Sequence, residues 1–346
     1  MNKILVSITT LFVLLISVAY AQDPKLQTGD PFKRGLKESD FPRTKQIVPG
    51  VYSYEALRGG DPQGFMTTVS VFVVTTDGVL VADGQGNVKQ TQEMVDAIAK
   101  ITPQPIKYVV ICSDHGDHTA GNSAFPKNAI FISSPASKKT LEDAAAAAAQ
   151  RGQRAGAAPA APAAPNPLPT EVVADKRTIK MGKTEIQILN LGRAHTGGDL
   201  SVYIPNGKVM FMSEAYLHRV FPAMRSAYPS EWIATVKKAQ AMKATWYIPG
   251  HGFVDDAASL KTELEEYRKA LDYVFKEGKR LHDAKIPCAP AAPAAAGAAG
   301  GRGQPAPCEA AQKANWGPYT DWTLRSGQAQ TAIMKVYDEL EGKLPK

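Results

Sequence analysis

Four short apolar segments of this chain each run into a loop that carries histidine or acidic residues, and this repetition strongly constrains the fold. The segments are KYVVIC, EIQILNLG, KVMFM and WYIP, and the loops contain SDHGDH, RAHTGGD, SEAYLH and GHG. Short apolar runs bounded by turn residues are typical of buried strands. Segments with helical spacing, such as TQEMVDAIAKI and PSEWIATVKKAQAM, lie between them. The alternation predicts an α/β protein whose loops converge at one sheet edge, where binding sites collect.

Five of the six histidines lie in these loops, and four of them have a glycine nearby: His115, His118, His195 and His251. Asp117 stands between the first two. Imidazole nitrogen and carboxylate oxygen together suit Zn²⁺, and Fe or Mn remain alternatives where more oxygen donors are present. The pattern predicts a metal site. His282, on the last turn of a long amphipathic helix, is expected at the surface.

These loops resemble the signature of the metallo-β-lactamase superfamily. That signature is HxHxDH after a strand, a histidine in a GxxHTxG context, an acid or cysteine after a later strand, and a histidine in a PGHG-like context. This chain has SDHGDH at 113–118, GRAHTGG at 192–198, SE at 213–214 and PGHG at 249–252, in the same order. Asp83-Gly84, after an earlier strand, resembles the family's structural Asp-Gly. The resemblance covers roughly residues 46–256 and implies an αββα sandwich.

The resemblance also implies a set of metal ligands: His115, Asp117, His118, His195, Glu214 and His251. Two positions depart from the family pattern. Ser113 stands in place of a ligand histidine, giving a degenerate SxHxDH motif, and Glu214 stands where aspartate or cysteine is usual. Because a serine hydroxyl is a poor zinc ligand, we expect a tight site at Asp117/His118/His251 and a weak or empty site at His115/His195. Three alternatives remain for Glu214: it bridges both sites, it binds at the tight site only, or it orients a ligand from outside.

The implied activity is hydrolysis of a small-molecule substrate by a metal-activated water. An amide, lactam, lactone or ester bond is the expected target, and β-lactamase activity is included. Sulfate, phosphate or thioester hydrolysis is one alternative, and a non-catalytic metal-binding protein is another. His115, if free of metal, is the expected general base, and Asp117 is expected to orient the water.

Substrate contacts are expected from two loops that contain aromatic and cationic residues. Residues 215–229 supply Tyr216, His218, Phe221 and Arg225, and the segment between the first strands supplies Phe65. Arginine suits a carboxylate or another anion on the substrate. The alternative is that the apolar members pack their loop onto the body of the domain.

The first 21 residues have the layout of a cleaved secretory signal: a basic residue, an apolar run and a small-x-small site. A membrane anchor is the alternative, but the apolar run is only about 15 residues and a spanning helix needs roughly 20. We therefore expect a periplasmic or secreted protein without stable membrane insertion.

The net charge of +7 is scattered along the chain, whereas a nucleic-acid partner requires a concentrated basic stripe. We therefore expect no nucleic-acid partner. Oligomeric state is left open.

The expected organisation is a signal peptide at 1–21, an N-terminal arm at 22–45, a catalytic-type domain at 46–285 and a helical extension at 286–346. Two Ala/Pro/Gly-rich segments, at about 144–167 and between Cys288 and Cys308, are expected to be surface excursions. An oxidising compartment favours a Cys288–Cys308 disulfide. Cys112 is then the odd thiol, expected to be buried at a strand end.

Overall fold

Two β-sheets form the centre of the structure, a computed structural model that describes residues 27–61, 64–154, 165–288 and 308–345. The first sheet has seven strands in sequential order: β1 (Arg43–Val48), β2 (Val51–Asp61), β3 (Gly64–Thr75), β4 (Gly78–Ala82), β5 (Ile106–Val110), β6 (Ile130–Ser133) and β7 (Glu171–Val172). The second sheet has five: β8 (Lys176–Met181), β9 (Thr184–Leu189), β10 (Ser201–Ile204), β11 (Val209–Phe211) and β12 (Trp246–Ile248). They are ordered β12-β11-β10-β9-β8.

Strand direction brings several carboxyl ends together. Strands β1 to β4 are antiparallel neighbours, whereas β4 to β7 run parallel. In the second sheet β8 to β11 are antiparallel, and β12 pairs parallel with β11. As a result β9, β11 and β12 share one direction, as β4 and β5 do in the first sheet. The loops after these five strands meet at one edge of the sandwich.

The first sheet buries both of its faces, and the alternation of its side chains assigns them to two cores. Val71 and Val73 of β3 join the core between the sheets, whereas Phe72 joins the core on the outer face. Leu80 and Val81 of β4 divide in the same way. All five are at most 1% exposed. A strand with helices or sheets on both faces reads as a near-continuous apolar run, as VSVFVV does here.

Helices cover both outer faces: α1 (Val88–Ile101), α2 (Gly116–Thr119), α3 (Pro135–Arg154), α4 (Pro229–Ala241), α5 (Ala257–Asp283), α6 (Glu309–Lys313) and α7 (Arg325–Leu340). Helix α1 is capped by Asn87, which accepts from the Gln90 amide at 2.9 Å, and packs Met94 in the core of the first sheet's outer face. Trp232 of α4 and Leu264 of α5 join the core of the second sheet. The predicted αββα sandwich is confirmed.

The C-terminal extension is fastened to the sandwich. Cys288 and Cys308 form the predicted disulfide, with their Cα atoms 5.0 Å apart. The amide of Ala310 donates to the carbonyl of Pro287 at 3.1 Å, so α6 follows α5 closely. Helix α7, the longest helix described in the extension, spans Arg325–Leu340 and packs against α5.

Several predicted segments lie partly or wholly outside the described residues. The signal peptide at 1–21 and the Ala/Pro/Gly-rich stretch between the bridged cysteines are among them. Of the insertion predicted at 144–167, residues 144–154 belong to α3, and 155–164 are not described. Strand β1 begins at Arg43, inside the segment predicted as an arm. Among the described helices none has the length and apolar character needed to cross a bilayer.

Candidate metal centre

All six predicted metal donors come together at the sheet edge. They form two groups that share Glu214: one of Asp117, His118, Glu214 and His251, and one of His115, His195 and Glu214. Within each group the donor atoms lie within 4.8 Å of one another. The donors come from the loops after β5, β9, β11 and β12, as the sequence pattern indicates.

The four-residue group is centred on the Nε2 atoms of His118 and His251, which lie 3.3 Å apart. Asp117 Oδ2 lies 3.0 Å from His251 Nε2 and 3.8 Å from His118 Nε2. Glu214 Oε1 lies 3.2 Å from His251 Nε2. Asp117 is the most exposed member, with 10% of its side chain accessible, so the group opens to solvent on that side.

The three-residue group lies on the other side of Glu214. His115 Nδ1 is 3.0 Å from His195 Nε2 and 2.9 Å from Glu214 Oε2. His195 Nε2 is 3.2 Å from Glu214 Oε1. The Ser113 hydroxyl, which occupies the position of a family histidine, donates to Glu214 Oε2 at 2.5 Å. Ser113 is therefore a partner of the shared carboxylate.

Two outer partners orient the imidazoles of the four-residue group. The Nδ1 of His251 donates to the carbonyl of Thr67 at 2.8 Å, which directs its Nε2 toward the other donors. Asp83 Oδ2 lies 3.1 Å from Nδ1 of His118, an ion-pair contact without hydrogen-bond alignment, and favours the ring orientation in which Nε2 faces the other donors. Such second contacts fix the tautomer and orientation of metal-ligating histidines.

Asp83 also connects the loops that carry the donors. It follows β4 with φ +64°, accepts from the Cys112 amide at 2.7 Å and accepts from the Ser213 hydroxyl. Ser213, directly before Glu214, has φ +47°. Left-handed backbone at non-glycine residues persists where surrounding contacts hold it, and it clusters at functional sites. Gly250 completes the junction, because a Cβ there would lie 2.5 Å from the Ser213 carbonyl carbon.

The charges of the centre are mutually balanced. Burial lowers the pKa of His115 and His251, but the Glu214 carboxylate beside His115, and the hydrogen bonds of Asp117 and Glu214 to His251, raise each of them to about 9. Burial also acts to raise the pKa of Glu214, yet His195 and His115 hold it well below its usual range. Without a cation, ionised carboxylates thus share protons with imidazoles. A bound cation must displace those protons.

The donor set fits a metal ion of the zinc type. A tetrahedral zinc with bonds of about 2.0–2.1 Å places its ligand atoms roughly 3.3 Å apart. The separations in the four-residue group run from 3.0 to 3.8 Å, and those in the three-residue group from 2.9 to 3.2 Å. Nitrogen and carboxylate donors at this spacing, aimed at one another and almost fully buried, are suited to a shared cation.

A pocket of about 420 Å³ opens onto both groups. It is lined by His115, Asp117, His195, Glu214 and His251 together with Arg58, Met66, Leu217, Val220 and Arg225. Residues of the C-terminal extension complete it: Leu324, Gly327, Gln328 and Thr331. A volume of this size accommodates a small organic molecule.

Only one of the five predicted substrate contacts lines this pocket, namely Arg225. Tyr216, His218 and Phe221 have no accessible surface, because they pack their loop onto the body of the protein. The Nδ1 of His218 is paired with the carbonyl of Phe253 at 2.8 Å. Phe65 packs edge-on against Phe32 of the N-terminal arm, with the ring centroids 4.7 Å apart. The expected positions of these four residues at the pocket are corrected accordingly.

The remaining sequence predictions concern Cys112 and His282. Cys112 is a free, fully buried thiol two residues after β5, and it belongs to neither donor group. His282 is half exposed at the end of α5, where its ring meets Tyr337 edge-on. Neither residue lies at the pocket.

Sequence reasoning missed Arg58 and the C-terminal lining residues. Arg58 lies on β2 and donates to Asp117 Oδ2 at 2.6 Å. Its position at the exposed end of β2 gave no sign of this contact, which joins residues far apart in the chain. A helical extension was predicted at 286–346, but its sequence does not reveal which part of the body it covers.

Comparison with known proteins agrees with this architecture. The family model of the metallo-beta-lactamase superfamily matches residues 64–251. The metallo-beta-lactamase type 2 of Bacillus sp. (strain 170) is 21% identical over 199 residues, which are 55% of this chain and 69% of that protein.

Solved structures show the same fold. A metallo-beta-lactamase from Pontibacter korlensis superimposes with a TM-score of 0.55 at 18% identity, covering 67% of this chain and 99% of that one. One from Hirschia baltica gives 0.53 at 16% identity, covering 66% and 97%. The matched segment spans more than half of the chain and contains all six donors. The chain therefore belongs to the metallo-β-lactamase superfamily.

Proposed function

We propose that this protein is an exported metal-dependent hydrolase that cleaves an amide, lactam, lactone or ester bond with water. One observation supports this above all: donors from four separate loops lie at the mutual spacing of metal ligands and face a pocket of about 420 Å³. β-Lactams are among the candidate substrates because the similar proteins are named metallo-beta-lactamases. At 16–21% identity that likeness carries the fold and leaves the substrate open.

The two donor groups are proposed to bind metal with unequal affinity. Asp117, His118 and His251 with Glu214 would hold the tighter ion, and His115 and His195 with Glu214 the weaker one. Zinc is the proposed metal, given nitrogen and carboxylate donors in this ratio. A bound metal supplies an activated water and a positive charge for the developing oxyanion.

The side chains at the pocket wall handle water and protons. Asp117, which reaches the pocket, accepts a hydrogen bond from the attacking water and orients it. His115, when it holds no metal and is in its neutral form, takes the proton of that water through Nε2, which has no hydrogen-bond partner in the part of the chain that the structure describes. Glu214, 2.9 Å from Nδ1 of His115, stabilises the imidazolium that results.

Arg225 is proposed to bind an anionic group of the substrate. It is exposed, lines the pocket and makes no ion pair with any described residue. Arg58, by contrast, is already engaged with Asp117. A guanidinium without a protein partner at a pocket wall matches a carboxylate on a ligand.

Export is proposed from the signal-like composition of residues 1–21 together with the Cys288–Cys308 disulfide. Disulfides persist in oxidising compartments such as the periplasm or the extracellular medium.

A non-catalytic metal-binding protein is the second candidate function. Ser113 is the observation that favours it, because it removes a donor from one of the two groups.

A substrate panel with defined metal content tests the proposal. The protein is stripped with a chelator, reloaded with Zn²⁺, and assayed on a cephalosporin, a carbapenem, a lactone and the p-nitrophenyl ester, sulfate and phosphate. We expect turnover of a lactam, lactone or ester that falls by a factor on the order of 10³ without metal and in His251→Ala. His282→Ala, which alters a histidine away from the pocket, is the matched control and should retain activity.

The panel also separates the alternatives. Turnover confined to the sulfate or phosphate would change the substrate class but keep the metal mechanism. Protein that binds Zn²⁺ and turns over none of the compounds would favour the non-catalytic binder. Turnover that persists without metal would contradict both candidates.

A further inference from the structure

The pocket has a wall that comes from outside the family-matched segment, which ends at residue 251. Leu324, Gly327, Gln328 and Thr331 all line it. Their spacing of three, four and seven residues places them on one face of α7 and its first turn. This face is therefore turned toward the metal centre along two helical turns.

Backbone pairing fixes this wall relative to the donor loops. The amide of Phe221 donates to the carbonyl of Thr323 at 2.9 Å, directly before α7 begins. The segment that contains Phe221 follows Glu214 in the chain. Phe221 also packs edge-on against Trp316, with centroids 5.1 Å apart. The α7 face is thus held in register with the loop that carries the shared carboxylate.

Ring contacts and the disulfide hold the extension from the other side. Trp322 stacks on Tyr267 of α5, with an interplanar angle of 10°. The Cys288–Cys308 bridge ties the end of α5 to the start of α6. The disulfide and the stacking of Trp322 on Tyr267 therefore fix the extension against α5. A residue that determines specificity needs such support from its surroundings.

The chemistry of this surface is that of a binding site for a polar group. Leu217, Val220 and Leu324 supply apolar surface to the pocket, and the Gln328 side chain lies half-buried in the same lining. The backbone amide of Gln328 donates to the carbonyl of Leu324 at 3.1 Å, but its side-chain carboxamide makes no hydrogen bond to any residue of the described ranges. The same holds for the Thr331 hydroxyl. Polar groups set in an apolar lining without protein partners are the features that orient a ligand.

We propose that this α7 face determines substrate specificity, with the Gln328 amide hydrogen-bonding a carboxamide of the substrate away from the bond that is cleaved. An amide side chain suits this partner, because each amide offers both a donor and an acceptor to the other. Thr331 contributes a second contact to the substrate, through its hydroxyl. The inference rests on the proposed metal-dependent function, since it assumes that the substrate's reacting end lies at the donor groups.

A binding experiment tests the proposal without relying on turnover. The protein is loaded with Co²⁺, and thiols are titrated while the cobalt absorption band is followed. One series ends in an acetamide, as in N-acetylcysteamine, and the other in the matching acetate ester. Both are prepared with two and with three methylenes between sulfur and the polar group, so that the reach to α7 is covered.

We expect wild-type protein to prefer the amide thiol over the ester in at least one spacer length. In Gln328→Leu the amide thiol should bind roughly five- to tenfold more weakly, the loss of one neutral hydrogen bond, while the ester changes little. Thr331→Val should give a smaller loss. Gln330→Leu is the matched control: its amide contacts Met334 Sδ at 3.7 Å, and it does not line the pocket.

The outcomes separate this inference from the function on which it rests. Equal affinities of wild type and Gln328→Leu for both thiols, with cobalt bound and unfolding temperatures unchanged, would overturn the role of α7 and leave the metal proposal intact. A loss of the same size in Gln330→Leu would mean that α7 packing, and not Gln328, is responsible. Failure to bind cobalt at all would remove both proposals.

Discussion

The two donor groups share Glu214 but differ in what surrounds their imidazoles. In the four-residue group His251 is held by the Thr67 carbonyl at 2.8 Å, and Asp83 lies 3.1 Å from Nδ1 of His118. In the three-residue group the buried Nδ1 of His195 has neither a hydrogen-bond partner nor an ion-pair contact of this kind among the described residues. Outer partners of this kind are worth 10- to 100-fold in metal affinity elsewhere. The contrast predicts unequal affinity even before the donors are counted.

The donor count points the same way. Ser113 donates its hydroxyl hydrogen to Glu214 Oε2, so it occupies a lone pair of the shared carboxylate on the side that faces His115. The three-residue group therefore lacks one imidazole and holds its only carboxylate in common with both Ser113 and the other group. What distinguishes the groups is the number of donors and the extent to which each is already oriented.

The largest expected effect separates the groups by deleting one histidine from each. His251→Ala should weaken the tight binding event by more than about 100-fold, since a direct donor matters more than an outer partner. His195→Ala should leave that event unchanged and abolish only the weak one. Competition with a chromophoric chelator measures both affinities. Equal losses in the two variants would mean that the donors form a single site.

A second, intermediate effect is expected from restoring the missing imidazole. Ser113→His should raise metal content from about one to two ions per chain and tighten the second event by at least tenfold, within the range that metal-site changes produce. Ser113→Ala removes the hydrogen bond to Glu214 without adding a donor and serves as the control. Because Ser113 is fully buried, thermal unfolding is measured on both variants. A second event as weak as in the wild type would show that donor number is not what limits this group.

The donors themselves were accessible to sequence reasoning because their placement is local. Each follows an apolar strand by a few residues, and strands of one direction bring their carboxyl ends to a common edge. The position of Asp117 beside His251, at 3.0 Å, follows from this rule together with the motif order. The alternation that sorts Val71 and Phe72 into different cores is likewise a property of neighbouring residues.

The pocket walls were not accessible in this way because they depend on docking. Gln328 reaches the pocket only through contacts of its extension, such as Trp316 on Phe221. The aromatic residues of the 215–229 loop were misassigned for a related reason. Tyr216 and Phe221 are fully buried in the core. Because an aromatic side chain is stabilised by burial both in a core and at a pocket, sequence alone does not distinguish the two positions. Arg58 meets Asp117 across 59 positions, in a contact that no local pattern encodes.

The smallest expected effect concerns Asp117, a donor that already pairs with the guanidinium of Arg58. Arg58 Nη1 lies 2.6 Å from Asp117 Oδ2, and 46% of its side chain is exposed. A metal ion must share this oxygen or displace the guanidinium, so Arg58→Met should tighten the four-residue group alone, by roughly two- to fivefold, as for an exposed ion pair.

Arg225→Met supplies the matched control for this last prediction. It removes the same charge from the same pocket without freeing a donor, so any general electrostatic gain appears there as well. Titration at low and high salt completes the design, because a charge effect between partly exposed groups shrinks with screening. If Arg58→Met instead weakened metal binding while Arg225→Met did not, Arg58 would be acting as the outer partner that holds Asp117 in place. The four-residue group would then owe its advantage to three oriented donors, His118, His251 and Asp117. The contrast with His195, whose Nδ1 has no partner among the described residues, would become larger.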